Sequence, residues 1–243
     1  MISLYSGTPG SGKSLHCAQI VRSHLKMHSP VIGTFHINEE CLYKNSKYKY
    51  TYVNIYSLSP QFLVAYAKQN KKLLKKHIEG SFLLVIDEAQ RIFNSRTWNN
   101  ADRNDWITFF AEHRHLGFDI ILVSQNDRML DRQIRALIEY EFIHRKLTQA
   151  GIMGKILSIF VGAFCYVKMW YPMKEKLSSA FFHAEKKLFN FYDSYEEFSR
   201  DEVKGEGVPL TDSEKYYSLL QKIETVSQIE DKRIYQKYID FVA

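Results

Sequence analysis

The residues 7–14 read Gly-Thr-Pro-Gly-Ser-Gly-Lys-Ser and fit the pattern G-x-x-x-x-G-K-S. In this pattern the glycines let the backbone curl, so that successive N–H groups point at phosphate oxygens. Lys13 would reach the β- and γ-phosphates of ATP, and Ser14 would offer its hydroxyl to Mg²⁺. An ordinary Gly/Ser turn is the alternative, but the apolar run 2–5 before the loop favours a strand, a phosphate loop and a helix. The residues predicted to bind nucleotide are Gly7, Thr8, Pro9, Gly10, Ser11, Gly12, Lys13, Ser14 and Leu15.

Two adjacent carboxylates, Asp87 and Glu88, follow the apolar run 82–86. Five apolar residues in a row are typical of a strand that is buried on both faces. Because parallel sheets bind ligands at the carboxyl ends of their strands, we expect both acids beside the phosphate loop. Asp87 would hold the Mg²⁺ shell, and Glu88 would polarise the water that attacks the γ-phosphate. A helix cap after a core strand would explain one acid but not the pair.

A third strand is predicted over 119–125, where Ile, Ile, Leu and Val lead to Ser124 and Gln125. Either polar residue could sense the γ-phosphate, and a simple strand-end turn is the alternative for each. Gln125 is the candidate included among the catalytic residues, with Lys13 and Glu88. Asp87 corresponds to the aspartate that is called Walker-B in P-loop ATPases, and the run 82–86 before it is the Walker-B strand. Because Glu88 is adjacent to this aspartate, we also predict an inserted strand between the strand before the phosphate loop and the Walker-B strand. This is the additional-strand catalytic-glutamate type of P-loop ATPase.

The elements that position these residues alternate along the chain, which predicts an α/β fold with a parallel central sheet flanked by helices. A β-rich extension is expected over about 138–182, with a hairpin around Gly162. A charged, mainly helical segment, 196–243, is expected to follow a P-loop domain over 1–195. The further helices are predicted at 13–27, 60–77 and 102–115, and the further strands at 31–37 and 51–56.

Composition agrees with one enzyme-sized globular unit of 243 residues. The net charge of +6 is compatible with nucleic acid or an anionic membrane surface and proves neither. The uncharged run 156–167 falls short of the ~20 residues that a spanning helix needs. We expect no signal peptide before the first strand. We therefore expect a cytoplasmic protein, with peripheral contact at the inner face of the membrane left open.

Four segments resemble the zonular occludens toxin (Zot) family. They are the phosphate loop, Val-Ile-Asp-Glu-Ala-Gln-Arg at 85–91, Glu-His-Arg-His-Leu-Gly-Phe-Asp-Ile at 112–120 and Val-Ser-Gln at 123–125. The segment 187–194 is similar to the one that ends the family's ATPase domain. The resemblance covers about the first 195 residues, and its most distinctive part is the His-Arg-His-x-Gly-x-Asp run.

The resemblance implies an ATP- and Mg²⁺-dependent motor for assembly and extrusion of filamentous phage, because the family includes such assembly ATPases. It implies a homo-oligomer, in the form of a ring, and phage assembly or membrane proteins as partners. Contact with single-stranded DNA is left open. The family's proteins commonly continue into a transmembrane helix, which we do not expect in 196–243. The alternative function is a nucleotide-switched DNA-binding or scaffolding protein that does not hydrolyse ATP.

Three arginines are candidates for a residue that acts across a subunit interface. In ring-forming P-loop motors such an arginine stabilises charge as the phosphoryl group transfers. Arg91, Arg96 and Arg114 lie near the Walker-B strand in sequence, and Arg114 is included among the predicted catalytic residues. A surface ion pair is the alternative for each of them.

Overall fold

The structure is a computed structural model that describes residues 1–27, 29–38, 50–70, 79–94, 103–149, 158, 162–183 and 191. The chain divides into two compact units, Met1–Glu197 and Phe198–Ala243. The second unit, with its predicted helix, lies outside the described residues. The fold given below is that of the first unit.

Eight strands of the described residues form a single sheet. They are β1 (Ile2–Ser6), β2 (Val31–Gly33), β3 (Tyr50–Tyr52), β4 (Phe82–Ile86), β5 (Phe118–Val123), β6 (Tyr140–Lys146), β7 (Phe164–Trp170) and β8 (Glu175–Phe182). Their order in the sheet is β3-β2-β4-β5-β1-β6-β7-β8. The first six strands in this order are parallel, whereas β7 and β8 are antiparallel to their neighbours. The strand β5 lies between β1 and β4, so the predicted inserted strand is confirmed.

Helices cover both faces of the sheet, which confirms the predicted α/β class. The first helix packs on one face through residues at helical spacing, such as Ala18, Val21 and Leu25. The second and third helices lie on the opposite face, where Tyr66 and Phe109 contact Phe82 and Phe118. The helices are α1 (Lys13–Lys26), α2 (Pro60–Asn70), α3 (Arg103–Leu116) and α4 (Arg132–Ala136).

The strand β4 is buried along its whole length because it has a core on each side. Leu83 and Val85 belong to the cluster under α1. Phe82 faces the other way and its ring centroid lies 5.2 Å from that of Phe118. Each such side chain contributes roughly 1.5–3 kcal/mol when fully buried. This two-sided burial is why the strand is a continuous apolar run and not an alternating one.

The predicted β-rich extension is part of the central sheet. The strand β6 pairs with β1, and β7 pairs with β6 on one edge and β8 on the other. Both edges of β7 are therefore occupied, and the predicted hairpin around Gly162 is wrong for this strand. The turn that reverses the chain is Tyr171–Lys174, between β7 and β8. The residues 159–161, predicted as the other arm of that hairpin, lie outside the described part of the chain.

Two predicted strands are shorter in the structure. The strand β2 ends at Gly33 and not at 37, and β3 ends at Tyr52 and not at 56. Directly after β2, the Thr34 N–H donates to Val85 O and its hydroxyl accepts from the Asp87 N–H. The helix α2 is described to Asn70, and the rest of its predicted length falls outside the described residues. Phe191, from the segment that resembles the family's domain end, is buried in the cluster under α1. No helix among the described residues is both long and apolar enough to cross a bilayer.

Candidate nucleotide site

The phosphate loop connects β1 to α1 and is shaped by three glycines with positive φ. Gly7, Gly10 and Gly12 have φ of 141°, 71° and 95°, which residues with a side chain rarely adopt. The Ser11 N–H donates to Thr8 O at 3.1 Å and closes the loop. The helix α1 then begins at Lys13, so its positive N-terminal end faces the loop.

The Lys13 ammonium lies inside the loop that precedes it. Its Nζ donates to Gly7 O at 2.8 Å and to Thr8 O at 3.1 Å. Burial lowers the pKa of Lys13, while the carboxylates of Glu88 and Asp87 oppose this shift. The Lys13 side chain is thus buried in the loop, where a phosphate oxygen would replace the two carbonyls as the acceptor of its charged donor.

Two features of the loop fit a bound phosphate group. The Ser11 hydroxyl is buried and has no hydrogen-bond partner among the described residues, so it is available to a ligand. At Gly7 the backbone also approaches β6 too closely for a side chain, because a Cβ there would lie 2.5 Å from His144 O. Thr8, Pro9 and Gly10 form the exposed lip, whereas the Leu15 side chain packs in the core. Leu15 therefore has only its backbone to offer a nucleotide.

Asp87 and Glu88 emerge from the carboxyl end of β4, two strands from the phosphate loop. The Asp87 N–H donates to the Thr34 hydroxyl at 2.8 Å, and its Oδ1 accepts from the Glu88 N–H at 2.9 Å. Glu88 has φ 49° and ψ 43°, a left-handed conformation that is uncommon outside glycine. Its carboxylate accepts a hydrogen bond from Gln90 Nε2. The two carboxylates therefore have different hydrogen-bond partners within the same turn.

The two candidates for a γ-phosphate sensor, Ser124 and Gln125, follow β5 and have different surroundings. The Ser124 side chain is buried and its Oγ donates to Asn126 O at 3.0 Å, so this hydroxyl is already engaged. Gln125 is exposed, and its carbonyl accepts from the Gly7 N–H at 3.3 Å. The Gln125 backbone is thus hydrogen-bonded to the first residue of the phosphate loop. Its sensing of a phosphate stays a prediction.

The strands β6 to β8 form a wall behind the phosphate loop. A Cβ on Gly12 would lie 2.7 Å from Phe164 Cδ1 and 3.2 Å from Phe182 Cζ. The rings of Phe164 and Phe182 stack with centroids 5.6 Å apart. The extension therefore packs directly against the loop and fixes its position.

A buried histidine pair, His16 and His144, joins α1 to β6 behind this loop. His16 Nδ1 lies 2.8 Å from His144 Nε2, and His144 Nδ1 lies 3.3 Å from Ser6 O. Since a carbonyl only accepts, His144 donates from Nδ1, accepts at Nε2, and His16 donates from Nδ1. The His16 ring stacks between Tyr5 and Tyr166 at 4.8 and 4.6 Å. Both rings are neutral in this arrangement.

Burial lowers the pKa of His16 to about 4, and burial together with the neighbouring His16 lowers the pKa of His144 to about 3. An unfolded chain binds these protons near pH 6.5. The stabilisation from the neutral pair is therefore complete above pH 6.5 and is lost as the pH falls towards the folded values. At pH 5 we expect a loss on the order of 2 kcal/mol for each ring.

Urea unfolding between about pH 7.5 and pH 5 measures this loss. His144→Gln is expected to flatten the pH dependence, whereas His115→Gln, on the exposed surface of α3, should keep the wild-type slope. Equal slopes for the wild type and His144→Gln would contradict the assignment.

The structure places Arg114 away from the nucleotide of its own subunit. Its Nη2 donates to Glu139 Oε2 at 2.7 Å, and its Nε lies 3.7 Å from Glu79 Oε1. These partners lie where β4 and β6 begin, and the six-residue strand β5 separates that edge from the loop by roughly 20 Å. A role for Arg114 at its own nucleotide is thus wrong, and the residue forms the surface ion pair that was the alternative. A role across an interface stays a prediction.

His113, beside Arg114, also has hydrogen-bond partners within its own subunit. His113 Nδ1 donates to Phe110 O at 2.7 Å, and its Nε2 accepts from the Met1 amino group at 3.0 Å. The His-Arg-His run therefore builds the edge where the strands begin. Arg91 follows Gln90 in the turn after Glu88, near the site, and Arg96 lies outside the described residues.

Residues 1–197 match the family model described as zonular occludens toxin (Zot). The chain belongs to the Zot family. The gene 1 protein of Enterobacteria phage M13 is 31% identical over 48% of this chain and 37% of its own length. That of Escherichia phage If1 is 39% identical over 33% of this chain and 24% of its own length. The Zot-family chain therefore matches well under half of the length of these relatives.

Two solved structures show the fold class of this Zot-family chain. One is an ATPase domain that has a TM-score of 0.52 at 9% identity and covers 79% of this chain and 84% of its own. The other is the genome packaging NTPase B204 of Sulfolobus turreted icosahedral virus 2, in complex with AMPPCP. It has a TM-score of 0.50 at 15% identity and covers 76% of this chain and 98% of its own. Both are P-loop NTPases, so the fold class predicted from the sequence is confirmed.

Several residues of this Zot-family site were not predicted from the sequence. Thr34 positions the Walker-B turn, Gln90 binds Glu88, and His144, Phe164 and Phe182 support the loop. Gln90 was within reach of prediction, because a polar residue two positions after a catalytic acid lies in the same turn. The wall residues carry no local signal, since they are more than a hundred residues from the loop.

Proposed function

We propose that this chain is a Mg²⁺-dependent ATPase that acts as a motor in phage assembly and extrusion. One observation carries the proposal: the phosphate loop after β1 and the acids Asp87 and Glu88 after β4 lie at the carboxyl edge of one parallel sheet, with only β5 between their strands. A P-loop without a catalytic acid would bind nucleotide, whereas this arrangement adds a base for water. Zot-family membership and the phage relatives support the role in assembly.

Each residue has a task in this proposal. The loop N–H groups bind phosphate oxygens, and Lys13 exchanges the carbonyls of Gly7 and Thr8 for phosphate. Ser14 and Asp87 would hold Mg²⁺, which when bound neutralises phosphate charge. Glu88 takes a proton from the water that attacks the terminal phosphoryl group.

We further propose that the chain forms a homo-oligomer, built as a ring. Within each subunit the P-loop domain comprises 1–195, and the segment 196–243 is a separate, mainly helical part. Phage assembly or membrane proteins are its partners at the cytoplasmic face of the inner membrane. The packaging NTPase B204, which has a similar fold, was solved with an analogue of ATP, and this supports ATP as the nucleotide.

ATP turnover with and without single-stranded DNA, alongside the native mass of the nucleotide-bound protein, tests enzyme, partner and assembly together. We expect phosphate release that requires Mg²⁺ and a mass that corresponds to several subunits. A rise in turnover with single-stranded DNA would support direct contact with it. ATP binding without turnover in every assembly state would instead favour a nucleotide-switched scaffold.

A further inference from the structure

Gln90 is a buried polar side chain that takes no part in phosphate or metal binding. It lies in the short turn Ala89–Arg91, directly after Glu88, and is 8% exposed. Its Nε2 donates to the Glu88 carboxylate, while its Oε1 is buried without a hydrogen-bond partner among the described residues. A buried amide oxygen without a partner costs free energy. An apolar residue of the same length would avoid that cost, so packing alone does not explain the glutamine.

The backbone at Glu88, next to Gln90, is unusual as well. Glu88 adopts a left-handed conformation, which is also unfavourable for a residue with a side chain. The Arg91 N–H donates to Glu88 O at 2.8 Å, and the Glu88 N–H donates to Asp87 Oδ1 at 2.9 Å. Two unfavourable features thus meet at the Glu88 carboxylate: the left-handed backbone of Glu88 and the buried, unpaired Oε1 of the Gln90 that donates to it. Burial lowers the pKa of Lys13, and among the nearby charges the Glu88 carboxylate opposes this shift most.

We propose that Gln90 is a positioning residue that holds one oxygen of the Glu88 carboxylate, so that the other oxygen is directed at the attacking water. This inference rests on the proposed ATPase function. Gln90 does not touch the reacting atoms, because its amide is directed at Glu88. A glutamate side chain that rotates freely would sample several orientations, and the hydrogen bond from Gln90 removes most of them.

Two substitutions at Gln90 separate positioning from packing. Gln90→Met keeps the length and removes the donor, and we expect kcat to fall about tenfold to thirtyfold with little change in KM for ATP. A fall in kcat at constant KM is the result expected when the base is misdirected, because substrate binding is unchanged. Gln90→Glu also keeps the length but replaces the donor by a second carboxylate beside Glu88, so kcat should fall at least as far.

Gln61→Met is the matched control. Gln61 Nε2 also donates to a carboxylate, Asp105 Oδ2 at 2.8 Å, but this pair lies on an exposed surface between α2 and α3. The control should keep the wild-type kcat. Thermal melting of all variants, at equal protein concentration, corrects turnover for the folded fraction.

The contact itself is measured in nucleotide-free protein by NMR of the side-chain amide protons of Gln90. We expect slow exchange with solvent in the wild type and fast exchange in Glu88→Ala. The proposal is overturned if the wild type hydrolyses ATP while Gln90→Met keeps its kcat. It is also overturned if the amide protons exchange equally fast in both proteins. Absence of turnover in the wild type would instead refute the proposed function itself.

Discussion

Replacing Lys13 by alanine is expected to lower ATP turnover roughly 10²–10³-fold and to weaken nucleotide binding. The ammonium is already desolvated inside the loop, and no other described lysine lies there. Alanine removes the charge that would face the β- and γ-phosphates. Turnover assays and titration with a fluorescent ATP analogue measure the two effects.

The fold should survive this substitution. Lys13 contacts two loop carbonyls and contributes its charge there, whereas the α1 core is built by Ala18, Val21 and Leu25. Lys26→Ala, at the exposed end of the same helix, is the control and should retain wild-type binding and turnover. A folded Lys13→Ala protein that hydrolyses ATP at the wild-type rate would refute the site.

Replacing Glu88 by glutamine is expected to lower turnover about 10²–10⁴-fold while ATP binding persists. An amide has the shape of the carboxylate but cannot take a proton from water. Its oxygen can still accept from Gln90 Nε2, so the side chain should keep its place. The phosphate loop is unchanged, which is why affinity is expected to remain.

Glu79→Gln is the matched control for this substitution. Glu79 is an exposed acid that precedes β4, whereas Glu88 follows it, so the two variants alter the same residue type at opposite edges of the sheet. Rapid-quench measurement of bound ATP distinguishes slow hydrolysis from failed binding. If Glu88→Gln turns over ATP normally, the catalytic base lies elsewhere.

The local part of the site was predictable because its chemistry is encoded in short segments. A phosphate loop needs eight consecutive residues whose glycines allow unusual backbone angles, and those angles are present at Gly7, Gly10 and Gly12. A strand with a core on both faces must be apolar throughout, which is why β4 was predicted with its observed bounds, Phe82–Ile86. The inserted strand followed from the adjacent acids, and the sheet order contains it.

The tertiary structure decided what depends on residues far apart in the chain. His16 meets His144 across 128 positions, and Phe164 reaches Gly12 only because β7 joins the same sheet. No local pattern encodes such pairing, since it is fixed by which strands become neighbours. Arg114 shows the same limit: it follows the Walker-B strand in sequence, yet α3 carries it to the edge where the strands begin. Spacing along the chain thus determined the loop and its acids, whereas the path of the chain decided which side chains support them.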